Sequence, residues 1–271
     1  MIIDGRIMAA EVLARAKARA PLLPRPPRVL ALAASETPAT KSYLAIKTKR
    51  AADAGCIFEV EYIKSSLRPY EIIDMSKDAD AVIVQLPLPS DMDTKASLDS
   101  IPVEKDADVL SRPAREKFER GDADALLPPV VGAVREILSH SNIVIRGKNA
   151  VVIGKGWLVG GPIAIWLTQQ GAEVTTVTKD EGNFAAVLSG ADIIVSGAGS
   201  PHLIKPEMLK QGMILIDAGT SESEGTLKGD ADPACAPICS LFTPVPGGVG
   251  PVSVACLFAN AVTLAERAID T

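Results

Sequence analysis

Short, nearly continuous apolar runs recur along the chain, and segments with helical spacing lie between them. Ile7, Val12 and Leu13, with alanines between, predict an opening helix stopped by Pro21 and the prolines at 24, 26 and 27. Val29 to Ala34 and Ala81 to Leu86 are apolar without alternation and predict strands buried on both faces. Ile57 to Ile63 alternates with period two and predicts a half-exposed strand. A helix is predicted from Pro38, a favourable first-turn residue, to about Ala54, where Gly55 ends it, and a shorter one over Tyr70 to Met75. Pro87 and Pro89 close the third strand.

Between about 105 and 128 the chain turns charged and irregular and reads as a hinge region. A helix near Val131–Ser139 follows. Four further strands are then predicted, at Ala150–Gly154, Glu173–Val177, Asp192–Ser196 and Met213–Asp217. A last helix runs from Val252 to Ala268. Strands alternating with helices imply a mostly parallel sheet, twice over. The expected fold class is α/β: two α/β domains flanking a cleft, the second a Rossmann-type dinucleotide-binding domain with a mostly parallel sheet. The expected boundaries are 1–127 for the first domain, joined by the C-terminal helix 252–271, and 128–251 for the second.

Composition narrows the function classes. In 271 residues, hydrophobic residues make up 47% and charged ones 23%, as in an ordinary globular protein. A net charge of −5 without a Lys/Arg cluster argues against nucleic acid as partner. No stretch reaches the roughly 18 uninterrupted apolar residues of a membrane span, and the first residues, interrupted by Asp4 and Arg6, do not read as a signal peptide. Cys56, Cys235, Cys239 and Cys256 are too few for a disulfide framework, and His140 and His202 lie too far off to complete a metal set. A reducing cytoplasm and no metal are expected.

The strongest local signals are two glycine-rich loops. Val151 to Ile153 leads into Gly154, Lys155, Gly156 and, after three residues, Gly160 and Pro162. This strand, turn and helix start can hold a pyrophosphate on backbone amides and the helix dipole. At the tip of the next strand, Lys179 favours a 2′-phosphate, as does Lys155, whereas Asp180 suits a ribose hydroxyl. NADP is the preferred cofactor and NAD the alternative. Gly197 and Thr220 sit in small-residue loops after later strands, suited to passing close to a nicotinamide. In the second loop, Thr243 to Pro251, six of nine residues are Pro or Gly. It predicts a rigid segment lying close to a ligand.

Tyr43 and Lys47 stand four apart on one face of the second helix. A partly buried lysine has a lowered pKa and can exchange protons. Gln85 ends a buried strand, where its amide needs a partner. Lys105-Asp106-Ala107-Asp108 opens the charged segment.

Taken in order, Ile3-Asp4-Gly5, Tyr43-x3-Lys47, Val84-Gln85-Leu86-Pro87-Leu88-Pro89, Lys105-Asp106-Ala107-Asp108, the Gly154 and Gly160 turn, and Thr243 to Pro251 resemble the bifunctional methylenetetrahydrofolate dehydrogenase/methenyltetrahydrofolate cyclohydrolase family over nearly the whole chain. The resemblance implies that 5,10-methylenetetrahydrofolate gives a hydride to NADP, and that the methenyl product is hydrolysed to 10-formyltetrahydrofolate, a one-carbon donor for purine biosynthesis. It implies Lys47 as catalytic lysine, Gln85 as its tuning partner, Tyr43 stacked on folate, Asp108 on the pterin, and Pro246 and Gly247 bordering the substrate. Gly154, Lys155, Gly156, Gly160, Lys179, Gly197 and Thr220 would hold the cofactor. It also implies a homodimer. A monofunctional NAD-dependent dehydrogenase and a non-catalytic nucleotide-binding module are the alternatives. Departures from the family pattern include Thr40 for Ser, Val109 for Gly, Lys155-Gly156 for Arg-Ser, Thr220-Ser221 for Ile-Asn, and Pro128 to Gly132 for Cys-Thr-Pro-x-Gly.

Overall fold

A computed structural model describes residues 1–64, 68–181, 184–223 and 226–269. The chain divides into two compact units, one of residues 1–9 and 130–253, the other of 10–129 and 254–271. The first nine residues therefore group with the later half of the chain, not with 10–127 as expected from sequence. The cause is backbone pairing: Ile3 N donates to Phe242 O at 2.9 Å and Gly5 N to Gly247 O at 2.8 Å.

The unit of residues 10–129 holds most of α1 (Gly5–Arg19), then β1 (Arg28–Ala33), α2 (Pro38–Asp53), β2 (Ile57–Tyr62), α3 (Pro69–Met75), β3 (Ala81–Gln85), α4 (Thr94–Asp99) and α5 (Arg112–Arg120). Its sheet is parallel, in the order β2-β1-β3. β1 and β3 bury nearly every residue, so both faces of the centre are covered, whereas β2 is an edge with alternating exposure. Leu30, Leu32, Val82, Val84, Ile72 and Leu98 form the core against which the helices pack. The expected hinge at 105–128 instead contains α5. Ser111 accepts from Ala114 N at its start, Gly121 at φ 72 ends it, and Ala114 and Phe118, one turn apart, are its buried stripe. Six charged neighbours and Pro113 hid that two-residue stripe in the sequence.

The other unit begins with α6 (Pro129–His140) and continues through β4 (Asn149–Ile153), α7 (Gly160–Gln169), β5 (Glu173–Val177), α8 (Phe184–Ser189), β6 (Ile193–Ser196), β7 (Ile214–Asp217), the hairpin β8 (Ser221–Ser223) and β9 (Thr226–Lys228), and β10 (Leu241–Phe242). Its five-stranded sheet is parallel in the order β10-β7-β6-β4-β5. β4 and β6 are buried throughout apart from Asn149, which explains their unbroken Val/Ile runs.

α9 (Val249–Arg267) takes the last three residues of the Pro/Gly run as its first turn, where Pro251 loses no helical hydrogen bond. By length and composition it could cross a membrane, but Val252, Ala255, Phe258, Ala261 and Val262 are fully buried in protein. Asn260 ties it to Ala107 O and Leu127 O at 2.9 and 3.0 Å. It is a core helix.

Candidate active site

Parallel strands in an α/β unit aim their C-terminal ends at ligands. β3 ends at Gln85, and α2 brings Lys47 beside it: Lys47 Nζ donates to Gln85 Oε1 at 2.9 Å. The amide is held the right way round because Gln85 Nε2 donates to Leu86 O at 2.9 Å. Gln85 thus serves a backbone carbonyl and the lysine at once. Lys47 is largely buried, and loss of water lowers its pKa, opposed by the nearby Asp108 carboxylate. Asp108 itself is pushed up to about 6, first by desolvation, against the pull of Lys47 and with a further push from Asp106. A lysine whose charged form is disfavoured lies near an acid whose charged form is disfavoured too. Such opposed shifts mark proton-transfer sites.

The rest of the Lys105-Asp106-Ala107-Asp108 motif is structural. Lys105 Nζ donates to Ser76 O at 2.7 Å and Lys77 O at 2.9 Å, capping α3. Asp106 is buried and accepts from Leu110 N and Ser111 N at 3.2 and 2.7 Å. Together these contacts hold the following loop so tightly that Val109 adopts φ 57, a left-handed conformation that costs a β-branched residue about 1–2 kcal/mol. The family's glycine at this position has no such cost.

Tyr43 lies one turn before Lys47 on α2 and is 47% exposed, open to a ring stacked upon it. A pocket of about 430 Å³ in this unit lies elsewhere, around Arg25, Asp80, Lys105, Lys117 and Arg267. It sits at the opposite end of the strands from Gln85, since Asp80 precedes β3. The chemistry, not that hollow, locates the site.

The other unit carries the nucleotide turn. Gly154 has φ 100, and an added Cβ would lie 2.7 Å from Gly197 O. At Gly160 a Cβ would overlap the Gly154 carbonyl oxygen, so turn and helix start need glycine for contact. At Gly156 an added Cβ meets nothing within 4 Å, leaving one side of the turn open. α7 starts at Gly160 without a side-chain cap; Gly161 N donates to Gly156 O at 2.9 Å and Pro162 has no N–H, so an anion would meet the turn on its open side at Gly156 rather than a full set of helix amides. These residues fit a dinucleotide pyrophosphate.

Lys179 and Thr220 are exposed at the ends of their strands. Lys155 lies 3.5 Å from Glu181, a pairing across 26 positions that the sequence does not reveal. Two other carboxylates were also missed. Asp230 accepts from Ser196 Oγ at 2.6 Å, Ala198 N at 2.7 Å and Ser200 N at 2.6 Å, shaping the loop after Gly197. Asp217 accepts from Gly219 N and Ala231 N, and burial pushes its carboxyl up to about 7. Neither was legible, because their donors come from residues up to 34 positions away. Pro246 and Gly247 belong to this unit. Gly247 adopts φ 105 and its carbonyl receives Gly5 N.

A parallel sheet with an open glycine turn, and a largely buried lysine held by an amide near a carboxylate, are the marks of a nucleotide-dependent α/β enzyme. Two family models match: the tetrahydrofolate dehydrogenase/cyclohydrolase catalytic domain over residues 3–108 and its NAD(P)-binding domain over residues 128–269. The chain belongs to the tetrahydrofolate dehydrogenase/cyclohydrolase family. A bifunctional protein FolD of Nitrosospira multiformis is 34% identical over 279 residues, spanning 98% of this chain and 96% of its own. The crystal structure of the bifunctional FolD enzyme of Campylobacter jejuni superposes with a TM-score of 0.94 at 28% identity, covering 99% of both chains. The Trypanosoma brucei enzyme, solved with NADP cofactor and inhibitor, gives 0.93 at 31% identity over 100% of this chain and 99% of its own.

Proposed function

We propose that this chain oxidises 5,10-methylenetetrahydrofolate to 5,10-methenyltetrahydrofolate with NADP and hydrolyses that product to 10-formyltetrahydrofolate, with Lys47 as its proton-transfer residue. The observation that carries this is the Lys47–Gln85 hydrogen bond at 2.9 Å, facing Asp108, in a chain of this family. NADP supplies the hydride acceptor. Backbone amides around Gly154, Gly156 and Gly160 would hold its pyrophosphate, with Lys155, Lys179, Gly197 and Thr220 around the rest.

The methenyl cation carries its charge between two nitrogens, and water adds to the carbon between them. Neutral Lys47, accessible because burial lowers its pKa, takes the proton of the attacking water. The same ammonium then returns that proton to the departing nitrogen as the carbon–nitrogen bond breaks, while the adduct's hydroxyl proton is released to solvent and its oxygen becomes the formyl carbonyl. Gln85 keeps the amine aimed. Asp108 accepts hydrogen bonds from the pterin ring, which charge strengthens. Tyr43 stacks on the folate, and Pro246 and Gly247 border it.

The test is turnover of methylenetetrahydrofolate with NADP, followed through methenyl decay, across pH. The expected result is coupled reduction and hydrolysis. KM for folate rises as pH falls through about 6, where Asp108 takes up a proton and loses its charge. A KM that stays flat between about pH 5 and 8 would remove Asp108 from substrate binding. Absence of nucleotide reduction would remove the function.

The products place the enzyme in one-carbon metabolism serving purine biosynthesis. A cytoplasmic location is supported by four buried cysteines that stand as thiols, as a reducing compartment keeps them. A homodimer is supported by the open edge of β2, where Ile57 and Tyr62 are 44% and 45% exposed. Light scattering is expected to give twice the 28.3 kDa chain mass, and a monomer at micromolar concentration would exclude it.

A further inference from the structure

Glu181 lies at the tip of β5, the strand that pairs with β4 directly beside the nucleotide turn. In sheets of this kind, an acidic residue about 20 positions beyond the glycine turn receives the adenosine ribose. Glu181 follows Gly160 by 21 residues. Its carboxylate is not a loose surface group. Glu181 N donates to Thr178 O at 3.2 Å, closing a turn that bends the side chain back on the strand end. Oε1 then accepts from Thr178 N at 3.0 Å and from Thr178 Oγ1 at 3.3 Å. Lys155 Nζ, reaching across from the β4 turn, completes the set at 3.5 Å. Among the described residues Oε2 accepts no hydrogen bond, so one oxygen of a fixed carboxylate is left for a ligand.

We propose that Glu181 sets the coenzyme choice of this enzyme: its anchored carboxylate accepts a ribose hydroxyl of NAD and competes with a 2′-phosphate for Lys155, so that the chain takes NAD alongside NADP. This rests on the dehydrogenase reading above and goes beyond it. A 2′-phosphate brings about two negative charges to a place already holding one. Lys155 cannot answer both anions at full strength, and it is 59% exposed, where an ion pair is weakly held. Exposed Lys179 remains as the second cation, which keeps NADP binding possible. A ribose hydroxyl, by contrast, meets an acceptor already aimed and needs no cation.

The experiment titrates NADPH and NADH against the wild-type chain and against Glu181→Gln, following tryptophan fluorescence. Trp157 sits in the nucleotide turn and is 43% exposed, so bound nucleotide changes its surroundings. Glutamine keeps an oxygen for Thr178 N and removes only the charge. Wild type is expected to bind the two nucleotides within about tenfold of each other, and Glu181→Gln to shift the ratio toward NADPH by on the order of tenfold. Adding Lys155→Ala to Glu181→Gln is expected to cancel most of that shift. An unchanged ratio in Glu181→Gln, a wild-type preference for NADPH beyond about 10³-fold, or a shift that survives loss of Lys155 each overturns the proposal. The titration needs no folate. A chain that binds both nucleotides but fails to reduce them with methylenetetrahydrofolate therefore sinks the dehydrogenase reading while leaving the Glu181 test intact.

Discussion

Lys47→Met is expected to slow hydrolysis of methenyltetrahydrofolate by roughly 10²–10⁴-fold, the usual contribution of a positioned acid–base group. Methionine keeps much of the length and the apolar stem while deleting the amine. The variant is expected to fold, because two changes oppose each other. Gln85 Oε1 loses its donor, a cost of about 1–3 kcal/mol if no water replaces it. A half-dry charge also disappears, which relieves desolvation. Nucleotide binding is expected to stand, since the glycine turn belongs to a different compact unit with its own core. The measurement is methenyl decay by absorbance in stopped flow, beside an NADPH titration. Hydrolysis within about twofold of wild type would show that the amine carries no proton in the reaction.

Gly160→Ala is the second large effect, and it separates the two chemistries. An alanine Cβ there would overlap Gly154 O and come within 2.7 Å of Gly154 C, both backbone atoms that cannot rotate away. The turn must open or the first turn of α7 must move. A displacement of about 1 Å in a positioning element can cost on the order of 10²-fold. Nucleotide affinity is expected to fall by about that factor, and reduction with it. Hydrolysis of methenyltetrahydrofolate supplied directly is expected to continue, because Lys47, Gln85 and Asp108 all lie in the other unit. Isothermal titration of NADPH checks the first half and methenyl decay the second. Unchanged NADPH affinity would mean that the pyrophosphate does not sit on this turn.

Much of this protein was legible in one dimension. The apolar runs of β1, β3, β4 and β6 announced strands buried on both faces, because only a covered parallel strand can be apolar at successive positions. Pro38 and Gly55 bracketed α2, and with it the spacing of Tyr43 and Lys47. The glycines of the nucleotide turn were readable because glycine is needed where backbones touch. α4 and α5 were not, since helices of six and nine residues with two buried positions each carry little periodic signal.

The candidate site divides along the same line. Sequence alone determined the chemistry on offer: a lysine and a tyrosine on one helix face, an amide at a strand end, an acid in a charged loop, and a glycine turn for a nucleotide. Tertiary structure decided which of them cooperate. It joined Lys47 to Gln85 across 38 positions, set Lys105 and Asp106 into the scaffold, and brought Lys155 within 3.5 Å of Glu181. Hydrogen bonds and desolvation depend on separations of a few ångströms, and residues distant along the chain acquire such separations only when the sheet brings their ends together.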